Sequence, residues 1–261
     1  MEQCRVQWLD FYNIFSTTRW GLCFFYPALH QASTLGVSLN RQLQMKSIVS
    51  LVLISIILTS CAAKFTKSKK GQLQRQLKEL VEIDQVANYI PQGKYKDLSE
   101  EQWHKFQDSV ITNNKMKAEA MFNKYGFLGF DKVGKEGSTH FWLLVQHCDK
   151  YSEFQKKVLK AMDKEVKKGN ANPNNYAYLY DRVKVNAGEK QSFGTQVTYE
   201  TETTGRAIPK IGLVDSVNVD KLRKEYSLEP LKDYLNTMTT LHYEMNKEHY
   251  KRMGIIKPNL Y

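Results

Sequence analysis

At 261 residues, with 42% hydrophobic and 25% charged side chains, the chain has the composition of a globular protein and room for one large domain or two small ones. Its net charge of +11 comes mostly from lysines scattered among glutamates. It does not come from a basic stripe with interleaved aromatics, which argues against nucleic acid as a partner. The four cysteines, Cys4, Cys23, Cys61 and Cys148, have no metal-ligand spacing and form no disulfide framework.

Residues 1–44 include the aromatic-rich run RWGLCFFYPALH, which has neither helical nor strand periodicity. From Met45 the pattern changes. Met45-Lys46 is followed by an apolar run from Ser47 to Leu58 and then by Thr59-Ser60-Cys61. That is the order of a secretory signal: a short basic start, a hydrophobic core and small residues at a cleavage point. Leu58-Thr59-Ser60-Cys61 resembles a bacterial lipobox, in which the cysteine is lipidated and becomes the new N-terminus.

The expectation is therefore a lipoprotein signal peptide over 45–60, lipidation at Cys61 and a basic tether over 61–71. Residues 1–44 would be an extension from an upstream start codon chosen in error, with Met45 the true start. This implies a lipid-anchored protein of the bacterial cell envelope, its domain outside the cytoplasm on the periplasmic face of the outer or inner membrane. The rival reading is an uncleaved span from Ser47 to Ala63, at the lower limit of about 17 residues. Lys64, Lys67, Lys69 and Lys70 behind it would then place the domain in the cytoplasm.

Beyond the tether, Leu73, Leu77, Leu80, Val81 and Val86 predict a helix over Gln72 to Tyr89. Ile90 to Asp97 is a linker by its Pro and Gly. Ser99, followed by Glu100 and Glu101, opens a long helix that Gly126 should stop. Gly129, Gly134 and Gly137 suggest a loop, after which Ser138 would cap a third helix and Ser152 a fourth, ending at Gly169. Pro173 starts a fifth, and alternating Val197, Tyr199 and Thr201 before Gly205 predict a hairpin. Two more helices are expected, near Val219 to Tyr226 and from Pro230 to about Met253. The fold class is mainly α: a single helical domain over 72–261 of about six or seven helices with one short β-hairpin insertion.

The third helix carries the chemistry. His140, Phe141, Trp142, Leu143, Leu144, Val145, Gln146, His147, Cys148 and Asp149 leave little polar face, so it should be buried nearly all round. Cys148 then reads as a small buried hydrophobe. His140 and His147 share a face but lie about 10.5 Å apart along the axis, too far for one zinc ion. No metal or cofactor is expected. Asp181 and Arg182 on the fifth helix offer either an orienter for His147 as general base or an interhelical salt bridge with Asp149. Gln191, Gly194, Thr195 and Gln196 either face a ligand or lock a turn.

HFWLLVQHCDK, the spacing to NPNNYAYLYDRVKVNAGEKQSFGTQ, and VDSVNVDKLRKEYSLEPLKDYL together resemble an uncharacterised bacterial family, domain of unknown function 6624. The resemblance covers roughly Tyr125 to Leu235. It marks Gln146, His147, Asp149, Asp181, Arg182, Gln191, Gly194, Thr195 and Gln196, and implies no reaction. Phe193 stands in a slot where tyrosine is usual, and Ser227 where glycine is usual.

Two functions follow. In the first, the helical domain binds an unidentified small molecule or envelope protein through His140, Gln146, Arg182, Gln191, Thr195 and Gln196, without catalysis. In the second it is an envelope hydrolase or lyase, with His147 as general acid/base and Asp181 or Asp149 orienting it. No G-x-S-x-G, S-x-x-K or phosphate-loop motif is present, so such chemistry would be direct acid–base or water-mediated.

Overall fold

The computed structural model describes residues 65–261. The expected signal peptide, Cys61 and the upstream extension lie outside the described residues.

The leucine spacing builds α1 (Lys67–Ala87), which buries Leu73, Leu77, Leu80, Val81 and Asp84 on one stripe. The helix starts ahead of the expected Gln72 because the Thr66 hydroxyl accepts from the Lys69 N–H and caps it. Lys67–Gly71, read from sequence as part of the tether, are therefore helical.

A 3-10 turn (Gly93–Tyr95) leads to α2 (Glu100–Tyr125). Its start is a capping box: Ser99 accepts from the Gln102 N–H while the Gln102 side chain accepts from the Ser99 N–H. Gly126 ends it as expected.

The glycine-rich stretch after α2 is not the expected loop. Phe130 N–H donates to the Asn170 carbonyl and Asp131 N–H to Asn170 Oδ1, both at 2.9 Å, while Val133 is fully buried. These anchors start α3 (Phe130–Gln146) at Phe130. Gly134, at φ 72° and ψ 176°, kinks it, and the helix then resumes. Ser138 is buried within α3 and does not cap it.

In α4 (Ser152–Lys167), Ser152 is the first helical residue and Tyr151 holds the cap position. Pro173 occupies the first turn of α5 (Pro173–Asn186), whose cap Asn172 accepts from the Asn174 N–H. The hairpin pairs β1 (Val197–Tyr199) antiparallel to β2 (Ala207–Pro209), with Thr198 opposite Ile208.

The last elements are α6 (Val219–Glu225), α7 (Leu231–Met245) and α8 (Lys247–Arg252). The expected continuous helix to Met253 breaks at Asn246, whose side chain donates to the His242 carbonyl at 2.9 Å. That break gives eight α-helices and one hairpin among the described residues, so the mainly helical class holds. None of these helices is long and apolar enough to cross a membrane.

Two apolar clusters form the core. One gathers α1, α3 and α4 around Leu77, Leu128, Phe141, Leu144 and Val158. The other gathers α5, the hairpin and α7 around Ala177, Tyr178, Phe193, Tyr234 and Met238. Half-buried Trp142 packs against both. Each such Leu, Phe or Met contributes on the order of 1.5–3 kcal/mol by leaving water.

Arg223 is completely buried in the second region. Its Nε donates to the Glu229 carbonyl and one terminal nitrogen to the Phe193 carbonyl, both at 2.6 Å, with the guanidinium 5.0 Å from the Tyr234 ring centroid. α6 then closes through Leu228 N–H to the Arg223 carbonyl and Ser227 N–H to the Lys224 carbonyl. This pattern places Ser227 at φ 60°, which explains why glycine suits that position.

Candidate functional site

Apart from His140 and Gln146, the polar residues singled out in the sequence fall into three networks, built by different helices. The first is sealed. His147 sits at the C-terminal cap of α3, and its Nδ1 lies 2.6 Å from Asp84 Oδ2 on α1. Asp84 Oδ1 accepts from Asn114 Nδ2 of α2 at 3.4 Å, and Asn88 Nδ2 lies 3.1 Å from the same imidazole nitrogen. The His147 and Asp84 side chains are only 3% and 1% exposed. The carboxylate that meets His147 Nδ1 is thus Asp84, which the sequence did not single out. Its signal was a carboxylate on the apolar stripe of α1, where burial demands a partner.

His140 lies farther up the same helix, with its Nε2 4.0 Å from Glu136 Oε1. Burial lowers its pKa from the ordinary 6.5. Gln146 is fully buried, and with its amide oxygen turned toward them it accepts from Trp142 Nε1 at 3.2 Å and Leu179 N–H at 3.1 Å. Cys148 donates to the Leu144 carbonyl at 3.2 Å. Burial pushes its thiol up to about 12, so it packs as the expected small hydrophobe.

The second network is open to solvent. Asp149, just past α3, receives a bidentate pair from Arg182 of α5: Nε to Oδ1 at 2.7 Å and a terminal nitrogen to Oδ2 at 2.6 Å. Asn186 Nδ2 donates to Oδ1 at 2.8 Å and Gln155 Nε2 at 3.2 Å. The remaining Arg182 nitrogen reaches Gln196 Oε1 at 3.5 Å. Arg182 is 12% exposed but Asp149 is 44% exposed, so the pair presents its carboxylate edge to water. Burial alone would raise the Asp149 pKa. The Arg182 charge, with the hydrogen bonds from Arg182, Asn186 and Gln155, outweighs it and holds the carboxyl below its ordinary value.

The third network locks a loop. Asp181, with no exposed surface, accepts from the N–H groups of Ser192, Phe193 and Thr195 at 2.9, 3.2 and 2.9 Å and from the Thr195 hydroxyl at 3.0 Å. Burial raises its pKa, opposed by these four donors. Gln191 clamps the same loop: Oε1 accepts from Gln196 N–H at 2.8 Å, and Nε2 donates to the Gln196 and Lys210 carbonyls at 2.7 and 2.6 Å. Gly194 turns it at φ 70°, where a Cβ would meet Leu231 at 2.9 Å. Phe193 packs edge-on to Tyr180 and Tyr226. The turn-locking alternative thus describes Gln191 and Thr195, while Gln196 links this loop to Arg182.

The structure therefore joins Asp149, Arg182 and Gln196, joins Asp181 to Thr195, and pairs His147 with Asp84. Asn186, exposed at the end of α5, and Gln155, fully buried on α4, belong to the open network and were not marked in the sequence, since a single amide on a helix carries no periodic signal. Among the described residues no group of three or more His, Cys, Asp or Glu converges as metal ligands. Two clefts lie apart from the open network, one of about 440 Å³ between α1 and α2 and one of about 340 Å³ beside α6.

No curated protein and no solved structure matches the chain. Residues 71–245 match a family of unknown function, DUF6624. The match extends beyond Tyr125–Leu235 in both directions and takes in α1 from Gly71 on, hence Asp84 and all three networks. The chain belongs to this family of unknown function.

Proposed function

We propose that the protein is a lipid-anchored bacterial envelope protein whose helical domain binds a ligand or partner without catalysis, through the open network of Asp149, Arg182, Asn186 and Gln196. The observation that supports this reading is the bidentate Arg182–Asp149 pair with its half-exposed carboxylate. It offers acceptor oxygens in a fixed orientation beside the Asn186 amide. The carboxylate suits a cationic or hydrogen-bond-donating ligand group. Lipidation at Cys61 follows from the lipobox-like run ending there.

Two measurements test the reading. Mass spectrometry of the protein extracted from membranes should find an acylated Cys61 as the N-terminal residue; an intact Met1 terminus refutes the anchor. A photo-crosslinker placed at Asn186 in cells should trap a specific adduct that Asp149→Asn abolishes. The same adducts from both proteins would overturn the binding role.

A second reading rests on the 2.6 Å His147–Asp84 pair. A carboxylate accepting from Nδ1–H fixes the orientation of the ring and leaves Nε2 as the nitrogen that would exchange a proton, which suits a hydrolase or lyase with His147 as general acid/base. Asp84 would then be the orienter, in place of Asp181 or Asp149. The near-complete burial of both side chains favours the binding reading. Envelope extracts turned over by the wild-type protein but not by a folded His147→Gln variant would reverse that preference.

A further inference from the structure

The first described residue, Phe65, packs edge-on against Tyr125 at the end of α2, with ring centroids 5.4 Å apart. Two ammonium groups converge on the same ring: Lys69 Nζ at 5.3 Å and Lys124 Nζ at 5.4 Å from its centroid. Beside Tyr125, α1 and α2 flank the cleft of about 440 Å³. Leu73, Leu80 and Met121 line its floor, and Lys69, Lys117 and Lys124 its rim, against a single carboxylate in the lining, Glu79.

Chain length adds a constraint. Cys61 stands four positions before Phe65. An extended chain reaches about 3.6 Å per residue, so a lipid on Cys61 would hold Phe65 within about 14 Å of the bilayer surface. The rim lysines on α1 and α2 flank the point where that short tether is fastened.

We infer that the lysine-rimmed cleft between α1 and α2 is the face on which the domain docks against anionic phospholipid head groups of the membrane that holds Cys61. This rests on the lipid-anchor reading above. Lysine stems lie along the apolar floor while their ammonium groups reach the head-group phosphates. A cleft with an excess of lysines over carboxylates complements an anionic surface, and the attraction acts only within about a Debye length, roughly 8 Å at physiological salt. The short tether brings the cleft toward that range.

The test uses the full protein as purified from membranes, reconstituted into vesicles of phosphatidylglycerol and phosphatidylethanolamine or of phosphatidylcholine alone. Exposed lysines are acylated with a membrane-impermeant reagent and read by peptide mass spectrometry. Lys69, Lys117 and Lys124 should be labelled about fivefold less in the anionic vesicles, while Lys160 and Lys232 are labelled equally in both. Salt near 1 M, where the Debye length is about 3 Å, should restore labelling. The Lys69→Glu, Lys117→Glu, Lys124→Glu variant should lose the difference, and the salt response of the wild type decides the matter if that variant fails to fold.

Equal labelling in the two vesicle types with an acylated Cys61 overturns the docking face alone. An unmodified Cys61 overturns the anchor and the docking face with it. Protection that persists in phosphatidylcholine, with a co-purifying polypeptide, identifies a protein occupant and also overturns the proposal.

Discussion

The His147–Asp84 network and the Asp149–Arg182 network use similar groups, a carboxylate with a nitrogen base and flanking amides, yet they sit in opposite environments. The first is closed over by α1, α2 and α3, and both its principal side chains are nearly inaccessible. The second lies at an edge where α3 ends and α5 passes, with its carboxylate half in water. Sealing makes polar groups obligatory partners of each other, because an unpaired one costs on the order of 1–3 kcal/mol. Exposure makes them replaceable by water and therefore available to something else. Residue type alone does not separate a stitch in the core from an accessible network; solvent access does.

That contrast can be broken by substitution. The largest effect is expected at Asp181, the most enclosed carboxylate among the described residues. Asp181→Ala strands three N–H groups, two of them buried, and should cost about 4 kcal/mol in urea denaturation. A loss below about 1 kcal/mol would mean that water satisfies the loop.

Acid tests a second sealed group. His242 stacks on Tyr199 at 3.7 Å, and its Nε2 lies 2.9 Å from the Tyr250 hydroxyl. Burial, with a smaller contribution from His249, lowers its pKa from 6.5 to about 4. The depressed value means the fold holds neutral imidazole. Its contribution is complete above the unfolded-state value and is lost as pH falls toward about 4. The loss should reach about 3 kcal/mol at about 1.36 kcal/mol per unit. The fall should be absent in His242→Gln, as read by denaturation at a series of pH values.

Asp84→Asn should cost about 2 kcal/mol and couple to His147→Gln by about 1 kcal/mol in a double-mutant cycle. Additive single effects would show that the pair is no more than a contact. Asp149→Asn is expected to cost least, below about 1 kcal/mol, because solvent screens the exposed pair. Its depressed pKa confines its pH effect to stability lost below the ordinary carboxylate value of 3.8, a window separate from that of His242.

The helices were legible where local chemistry decides them. Ser99 with Glu100 and Glu101, Gly126 and Pro173 mark ends by capping or by stopping a turn, and the leucines of α1 mark a face. Misreading occurred where tertiary contacts override local preference. Gly129, Gly134 and Gly137 look like a loop, but Asn170, in the connection between α4 and α5, supplies acceptors that start α3 at Phe130. The site was only partly legible for the same reason. Arg182 with Asp149 was one of the expected pairings, whereas the partner of His147 comes from a residue 63 positions earlier in the chain. No spacing rule connects positions so far apart without the fold.

Buried Arg223 carries a consequence for whatever meets the open edge. Its two bonds tie the Phe193 carbonyl to the Glu229 carbonyl, so the loop leading to Gln196 is fastened to the α6–α7 turn as well as to Asp181. Withdrawing that loop would leave a guanidinium inside the protein with one of its two acceptors gone. The surface at Gln196 is therefore preorganised, and its ordering is completed in folding and not at encounter. A ligand of the kind proposed above should therefore associate there in a single kinetic phase, with differences between ligands expressed in how slowly they leave.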